Sequence, residues 1–466
     1  MSPATSQGDP TVALEGSTAQ MVPFPQEIND QIVDAAQDDH EVLRALGLVS
    51  RSWCERTREY LFHSVSLDAG DTSANGTGQA LALLMNERPT IRNYIRDLSI
   101  GVKETPSPPP DAPGTVDEGV ATVLPLLSSI TALSITGKDD EVISTWESIP
   151  SLVRDRLLDL ALRAKIQYLH VTDIADIPIM LFLHLPHLQD LTLWSVSALY
   201  IDQTAFRHSL SPVNNLPWPY PSIKTLDTYN SHVLAFALFW PHASQDGPRS
   251  KITLSQLHDL TIYTDFDDEK EGKAWFALLN RCPQIEKYTI VQDSKYPPTR
   301  HFPLSVLYLK RFSNLQEVSL TWYYTVVPPD GGFDHNPFPK FIDGLAHLGD
   351  GNHLRRVEIC VRCEHYNELM FNFCTIPMPG QPRSIVQTCL FDKSWAKLDW
   401  VLSRPVFSQL AEIHVHWVSP RHPFHDAEHE VYLRQAMGRT IAAGVRVSSS
   451  IENMRNPKKD DLLSFF

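Results

Sequence analysis

The sequence predicts an α/β chain in two parts: a short helical unit at the N-terminus, then a long succession of strand-plus-helix units whose strands build one parallel sheet. Three observations carry this expectation. Apolar residues at helical spacing run through residues 22–63 in three short bursts. After them an apolar-x-x-apolar-x-apolar pattern recurs eleven times, and helical stretches lie between many of the recurrences.

Residues 1–21 are small, polar and unpatterned, which predicts disorder. The first helix opens at Pro25, a residue suited to a helix start because its missing N–H has no partner there, with Glu27 at the positive end of the dipole. Ile28 and Ile32 fall four apart on one face. Asp38 and Glu41 have capping-box spacing and predict a second helix carrying Leu43 and Leu46, which Gly47 should break. A third helix follows Ser50 or Ser52, with Trp53, Thr57, Tyr60 and Leu61 along one face. Three such helices bury little alone, so the unit needs a partner.

Phe24-Pro25-Gln26-Glu27-Ile28, Ile32-Val33 and Leu46-x-Leu48-Val49-Ser50-Arg51-Ser52-Trp53 together resemble the F-box motif over roughly residues 22–63. Phe24 stands where that family usually has Leu, and Ala36 where a larger apolar residue is common. The resemblance implies docking on the Skp-type adaptor of a cullin-RING ubiquitin ligase. Phe24, Pro25, Ile28, Ile32, Leu46, Leu48, Val49 and Trp53 are the candidates for that adaptor surface or for the unit's own core.

The repeated pattern appears at Phe62/Val65/Leu67, Ile95/Leu98/Ile100, Ile130/Leu133/Ile135, Ile166/Leu169/Val171 and Leu188/Leu191/Leu193. It continues at Ile223/Leu226/Thr228, Leu257/Leu260/Ile262, Ile285/Tyr288/Ile290, Leu315/Val318/Leu320, Leu354/Val357/Ile359 and Leu410/Ile413/Val415. Its last two apolar positions are two apart, so on a strand both point into one core. Helical stretches at 78–87, 151–164 and 269–280 lie between instances. One strand plus one helix per unit resembles the leucine-rich-repeat plan, a solenoid with a parallel concave sheet over residues 64–444. The asparagine usual in that family is missing: Val196, Ser231, Asp265 and Tyr323 hold its place, so the solenoid is expected to be irregular. Proline-rich stretches at 104–114, 211–221, 328–339 and 376–382 mark loops, a helix is expected at 425–443, and residues 445–466 are expected to be a flexible tail.

On the strand face turned from the core, the seventh position of three successive units reads Trp194, Tyr229 and Tyr263. Rigid aromatic side chains in a row are typical anchors of a binding surface. The third position reads Asp97, Asp190, Asp259, Glu317 and Glu412, interrupted by Lys287 and Arg356. An acidic, aromatic trough favours a basic segment of a target protein. The same residue types are also good strand formers, which is reason enough for any one of them to be there.

Composition narrows the function classes. Net charge is −15 over 466 residues, and no basic stripe is present, so neither nucleic acid nor an anionic membrane surface is an expected partner. Six cysteines form no disulfide framework, which places the chain in a reducing cytoplasm or nucleus. The longest apolar run, Val233–Trp240, is far shorter than the roughly 18 residues a membrane span needs. His425-Asp426-Ala427-Glu428-His429 fits a zinc-peptidase pattern, and Cys360, Cys363 and His365 have metal-like spacing, yet neither set has an evident completing ligand. Gly76-x-Gly78 lacks the strand and third glycine of a dinucleotide loop. No enzyme activity, cofactor or metal is expected. The expected role is that of a substrate receptor joining the adaptor, and through it a cullin, to an unidentified target. A scaffold unconnected to ubiquitin transfer and a zinc peptidase are the competing readings.

Overall fold

The computed structural model describes residues 25–69, 76–102, 118–138, 143–197, 221–239, 242–244, 247–249, 252–264, 275–292, 307–323, 337–362, 393–419 and 426–453. The chain forms two compact units, Met1–His63 and Ser64–Phe466.

The first unit contains α1 (Gln26–Ala35), α2 (His40–Val49) and α3 (Arg51–Leu61). Pro25 is the N-cap of α1, as its lack of an N–H allows. The cap of α2 is Asp39 rather than the expected Asp38: its Oδ1 accepts from the backbone N–H groups of Glu41 (3.1 Å) and Val42 (3.0 Å). Gly47 does not break α2, which runs on to Val49. A Cβ at Gly47 would lie 3.0 Å from Thr57 Oγ1, so this glycine lets α2 and α3 approach closely. Thr57 is buried at that contact and returns its hydroxyl to the carbonyls of Trp53 and Cys54. Among the unit's described residues, Val33 and Leu43 are the fully buried apolar side chains. Between α1 and α3, Arg56 grips both carboxylate oxygens of Asp34 (2.8 and 3.2 Å), and the Tyr60 hydroxyl donates to Asp34 Oδ1 at 2.9 Å.

The second unit is built on a twelve-stranded parallel sheet: β1 (Ser64–Ala69), β2 (Asp97–Val102), β3 (Ala132–Gly137), β4 (Tyr168–Thr172), β5 (Asp190–Trp194), β6 (Thr225–Tyr229), β7 (Asp259–Thr264), β8 (Lys287–Gln292), β9 (Glu317–Tyr323), β10 (Arg356–Arg362), β11 (Glu412–Ser419) and β12 (Arg446–Asn453). Strand order follows chain order, each strand pairing with the next. All eleven patterned segments supply a strand.

In-register pairing stacks like positions across the sheet. Leu191 lies beside Leu226, Leu226 beside Leu260, and Leu260 beside Tyr288, all essentially buried. The leading apolar residues, among them Ile95, Ile130, Ile166, Ile223, Leu257 and Ile285, are buried too. Burying each such side chain contributes about 1.5–3 kcal/mol, so the repeated pattern accounts for the sheet's cohesion. Alternation leaves the first, third and fifth residues of each strand pointing away from this core.

Helices of this unit include α4 (Thr77–Glu87), α5 (Glu118–Val123), α6 (Ser151–Arg163), α7 (Ile179–Leu183), α8 (His232–Phe239), α9 (Phe338–Ala346), α10 (Lys393–Leu402), α11 (Asp426–Ala436) and α12 (Gly438–Ala442). Of the helix expected at 269–280, residues 275–280 are described, and 275–279 are helical. The helix expected at 425–443 is divided at Met437, where Asp399 of α10 caps the start of α12 through the N–H groups of Arg439 (3.2 Å) and Thr440 (2.8 Å). Gly78 belongs to α4 and packs against Gly119, with no room for a Cβ on either side. Its glycine therefore answers to helix packing.

The C-terminal expectation changes too. Residues 446–453, assigned from sequence to a tail, form β12 and extend the sheet from β11. The buried hydroxyl of Ser231 accepts the N–H of Val196 from the preceding unit at 2.9 Å and donates to the Tyr229 carbonyl at 2.8 Å. The proline-rich segments lie outside the described residues except for Pro221 and 337–339, where Pro337 caps α9. Residues 1–21 and 454–466 lie outside them as well.

Candidate functional site

Two surfaces stand out, one in each unit. In the three-helix unit, α1 and α2 are amphipathic, and only part of their apolar surface is used internally. Ile28, Ile32, Val42, Leu48 and Val49 are all exposed, Leu48 at 88% and Val49 at 67%. Large apolar side chains in so small a unit are costly to leave in water, and a cluster of them marks an interaction surface. Of the residues singled out from sequence, Ile28, Ile32, Leu48 and Val49 belong to the exposed set. Leu46 and Trp53 are partly buried, Pro25 is exposed at the cap, and Phe24 lies outside the described residues. Sequence reasoning missed Val42, which is exposed on α2. It also missed the Asp34–Arg56–Tyr60 contact. There the Arg56 hydrogen bond, followed by that of Tyr60, holds the Asp34 carboxyl below its ordinary value of 3.8.

The second surface is the outward face of the sheet. Trp194, Tyr229 and Tyr263 are register partners on β5, β6 and β7, as the pattern predicts. Their rings meet edge-to-face, with centroids 6.4 Å apart for Trp194–Tyr229, 6.0 Å for Tyr229–Tyr263 and 5.4 Å for Trp194–Tyr263. The separation of Trp194 and Tyr263, two strands apart, shows that both lean inward over Tyr229. His170 on β4 extends the group, its ring centroid 6.0 Å from that of Trp194.

Asp227, on β6 two residues before Tyr229, went unnoticed in the sequence. Its Oδ1 accepts from Trp194 Nε1 at 3.2 Å. Burial lifts its carboxyl to about 6, against the opposing effect of that indole bond, and the neighbouring Asp259 adds to the rise. Burial also raises Asp259, although Lys287 pulls the other way.

The interruptions of the acidic row by Lys287 and Arg356, read from the sequence, are side-by-side charges in the register, and Arg446 adds a third cation. From β7 onward the first outward row reads Asp259, Lys287, Glu317, Arg356, Glu412 and Arg446 on successive strands. Lys287 lies 3.7 Å from Asp259, Arg356 lies 4.0 Å from Glu412, and Arg446 also bonds Glu412. Glu317 sits between Lys287 and Arg356. Alternating signs cancel over this half.

From β2 to β7 the balance differs. The outward strand positions carry Asp97, Asp190, Asp227 and Asp259 with no Lys or Arg among them. Lys138, just after β3, crosses Gly101 to bond Asp68 of β1. Between Asp97 and Asp190 the small side chains of Ser99 and Ser134 leave a shallow groove of about 330 Å³, walled by Tyr168 and His170.

Among the described residues, catalytic arrangements are scarce. His414 bonds the hydroxyls of Ser448 (2.9 Å) and Ser450 (2.8 Å), and His416 bonds Ser450 (2.7 Å). Both ring nitrogens of His414 are thus taken by hydroxyls, leaving neither for the carboxylate that a Ser–His–acid relay requires. Cys360 lies in β10, where burial raises its thiol pKa. Cys363, His365 and His425 lie outside the described residues, as do the side chains of Glu428 and His429. Among the described residues, no group of three or more His, Cys, Asp or Glu side chains is placed to hold a metal, and no helix is long and apolar enough to cross a membrane.

Comparison of the chain with protein-family models and with curated proteins finds no match.

Proposed function

We propose that the chain is a substrate receptor of an SCF-type cullin-RING ubiquitin ligase, with an N-terminal F-box that docks on a Skp-type adaptor and a leucine-rich-repeat sheet that holds a target protein. The observation that carries this reading is the exposed apolar set Ile28, Ile32, Val42, Leu48 and Val49 on a unit that, among its described residues, fully buries only the apolar side chains of Val33 and Leu43. The Leu-x-Leu-Val-Ser-Arg-Ser-Trp run that resembles the F-box motif is the run that leaves Leu48 and Val49 in solvent. Support for the repeat reading comes from the sequential parallel strands and from Ser231, which links neighbouring units. Such a receptor carries out no bond chemistry. It raises the local concentration of a target beside the subunits that do.

The test is binding of the full chain to purified adaptor, compared with Leu48→Asp/Val49→Asp. Covering a leucine-sized side chain is worth about 1.5–3 kcal/mol, and a carboxylate in its place opposes burial further, so binding should fall by at least about tenfold. Undiminished binding, or none by the unaltered chain, refutes the adaptor role and leaves an interaction scaffold.

A further inference from the structure

Strand β12 ends the sheet, and among the described residues no strand pairs with its outer edge. We propose that this edge joins two copies of the chain: β12 pairs antiparallel with β12 of a second copy about a two-fold axis through Ser449. The proposal goes beyond the adaptor and target reading and does not depend on it.

Backbone direction fixes which groups the edge offers. The N–H of Arg446 donates to the carbonyl of Ala411 at 3.0 Å, on the β11 side. Alternation turns the backbone groups of Ser448, Ser450 and Glu452 toward β11 as well, and leaves those of Val447, Ser449 and Ile451 at the open edge. Such a row of N–H and C=O groups is a template for another strand. The usual guards are absent. β12 is eight residues long, its register with β11 runs without a bulge from Arg446 to Asn453, and it holds neither Pro nor Lys. The strand is also pinned in place: His414 bonds the hydroxyls of Ser448 and Ser450, and His416 bonds that of Ser450. Little ordering is then left to oppose pairing.

The residues of β12 select the occupant. Placing Ser449 opposite itself sets Arg446 opposite Glu452 and Val447 opposite Ile451 of the second copy, each twice by symmetry. Opposite-charge and apolar pairs across strands both favour pairing. Moving the axis to Ser448 puts Arg446 opposite Ser450, and moving it to Ser450 carries Arg446 past the end of β12, so either shift loses the charge pair. Arg446 already bonds Glu412, but its side chain stays 73% exposed, and a guanidinium has donors enough for two carboxylates. In the matched register Val447, Ser449 and Ile451 exchange about six backbone hydrogen bonds with the second copy. A strand of another protein would use the same backbone groups without this built-in match.

Sedimentation velocity of the full chain over a range of concentrations should show monomer passing to dimer and nothing larger. Ser449→Pro removes an edge N–H and puts its ring in the path of the second strand, while the Ser448 and Ser450 bonds to β11 remain. It should raise the dimer dissociation constant at least about tenfold and leave the urea midpoint unchanged. Ser449→Cys tests the register, because directly opposite Cα atoms lie about 5.5 Å apart, within disulfide range. Mild oxidation should link copies of Ser449→Cys, whereas Ser448→Cys, offset by two residues from its own counterpart, should link no more than the unaltered chain. If the proline variant unfolds, the two cysteine variants decide. A chain that stays monomeric at every concentration overturns the proposal, the edge then being covered by residues 454–466 or kept for another protein's strand. A dimer that a folded Ser449→Pro leaves intact, equal cross-linking of the two cysteine variants, or head-to-tail growth past the dimer overturns it as well.

Discussion

Asp227→Asn should make the protein more stable near neutral pH and leave it unchanged in acid. The substitution nearly preserves shape and keeps an oxygen to accept the Trp194 indole N–H, which lies 3.2 Å from the carboxylate in the native side chain. Burial lifts the folded carboxyl from 3.8 to about 6. The unfolded carboxyl therefore loses its proton near pH 3.8, while the folded one keeps it until about 6. Between these values the folded state binds more protons, so its stability declines as pH rises, and above about 6 the deficit is constant. A shift of that size corresponds to about 3 kcal/mol at most, and loss of the charged hydrogen bond to Trp194 returns part of it. The net expectation is a gain of about 1–3 kcal/mol at pH 7.5 that disappears at pH 3.5. Urea midpoints for both proteins across this range give the difference curve, which removes every titration the two share. A flat difference curve, or a gain that persists in acid, would refute the assignment of a strained carboxylate at this site. A confirmed gain would mean that stability is given up at Asp227 for something other than folding, as binding sites commonly require.

Two further outcomes test the architecture. In the three-helix unit, the lowered Asp34 pKa contributes stability that is fully present above its ordinary value of 3.8 and lost as pH falls through the lower folded value. Arg56→Ala should weaken that dependence, leaving only the part due to the Tyr60 hydrogen bond, so acid titrations of helical circular dichroism that superimpose for the two proteins would remove the proposed ion pair. In the sheet, Leu260 is fully buried between Leu226 and Tyr288, and Leu260→Ala should cost about 2–5 kcal/mol in thermal or urea unfolding. A cost under about 1 kcal/mol would mean that the strands do not share one packed core.

Much of this fold was legible because a strand repeats its side-chain direction every two residues. Leu98 and Ile100, or Leu191 and Leu193, had to share a face, and the residues between them had to share the other. That rule placed eleven strands and brought Trp194, Tyr229 and Tyr263 onto one surface. It missed β12 because Gly444 and Ser449 occupy the places that hold Leu410 and Val415 in the preceding unit, so of the three patterned positions only Val447 is apolar. Pairing with β11 forms it instead. Helix limits misled in a similar way. Gly47 reads locally as a breaker, yet its lack of a side chain serves the close contact with Thr57.

What periodicity cannot supply is the identity of a residue's neighbours across strands, because that depends on register between segments far apart in the chain. Asp227 looked like an ordinary strand residue until β5 placed Trp194 beside it and β7 placed Asp259 nearby. Lys287 and Arg356 were seen to interrupt the acidic row of Asp259, Glu317 and Glu412, but only the register set Arg446 beside Glu412 and brought Lys287 and Arg356 within ion-pair distance of the acids. The chain's pattern could state which side of the sheet each side chain takes. Charge balance and pKa depend on distances of a few ångströms between repeats, and those exist only once the strands have paired.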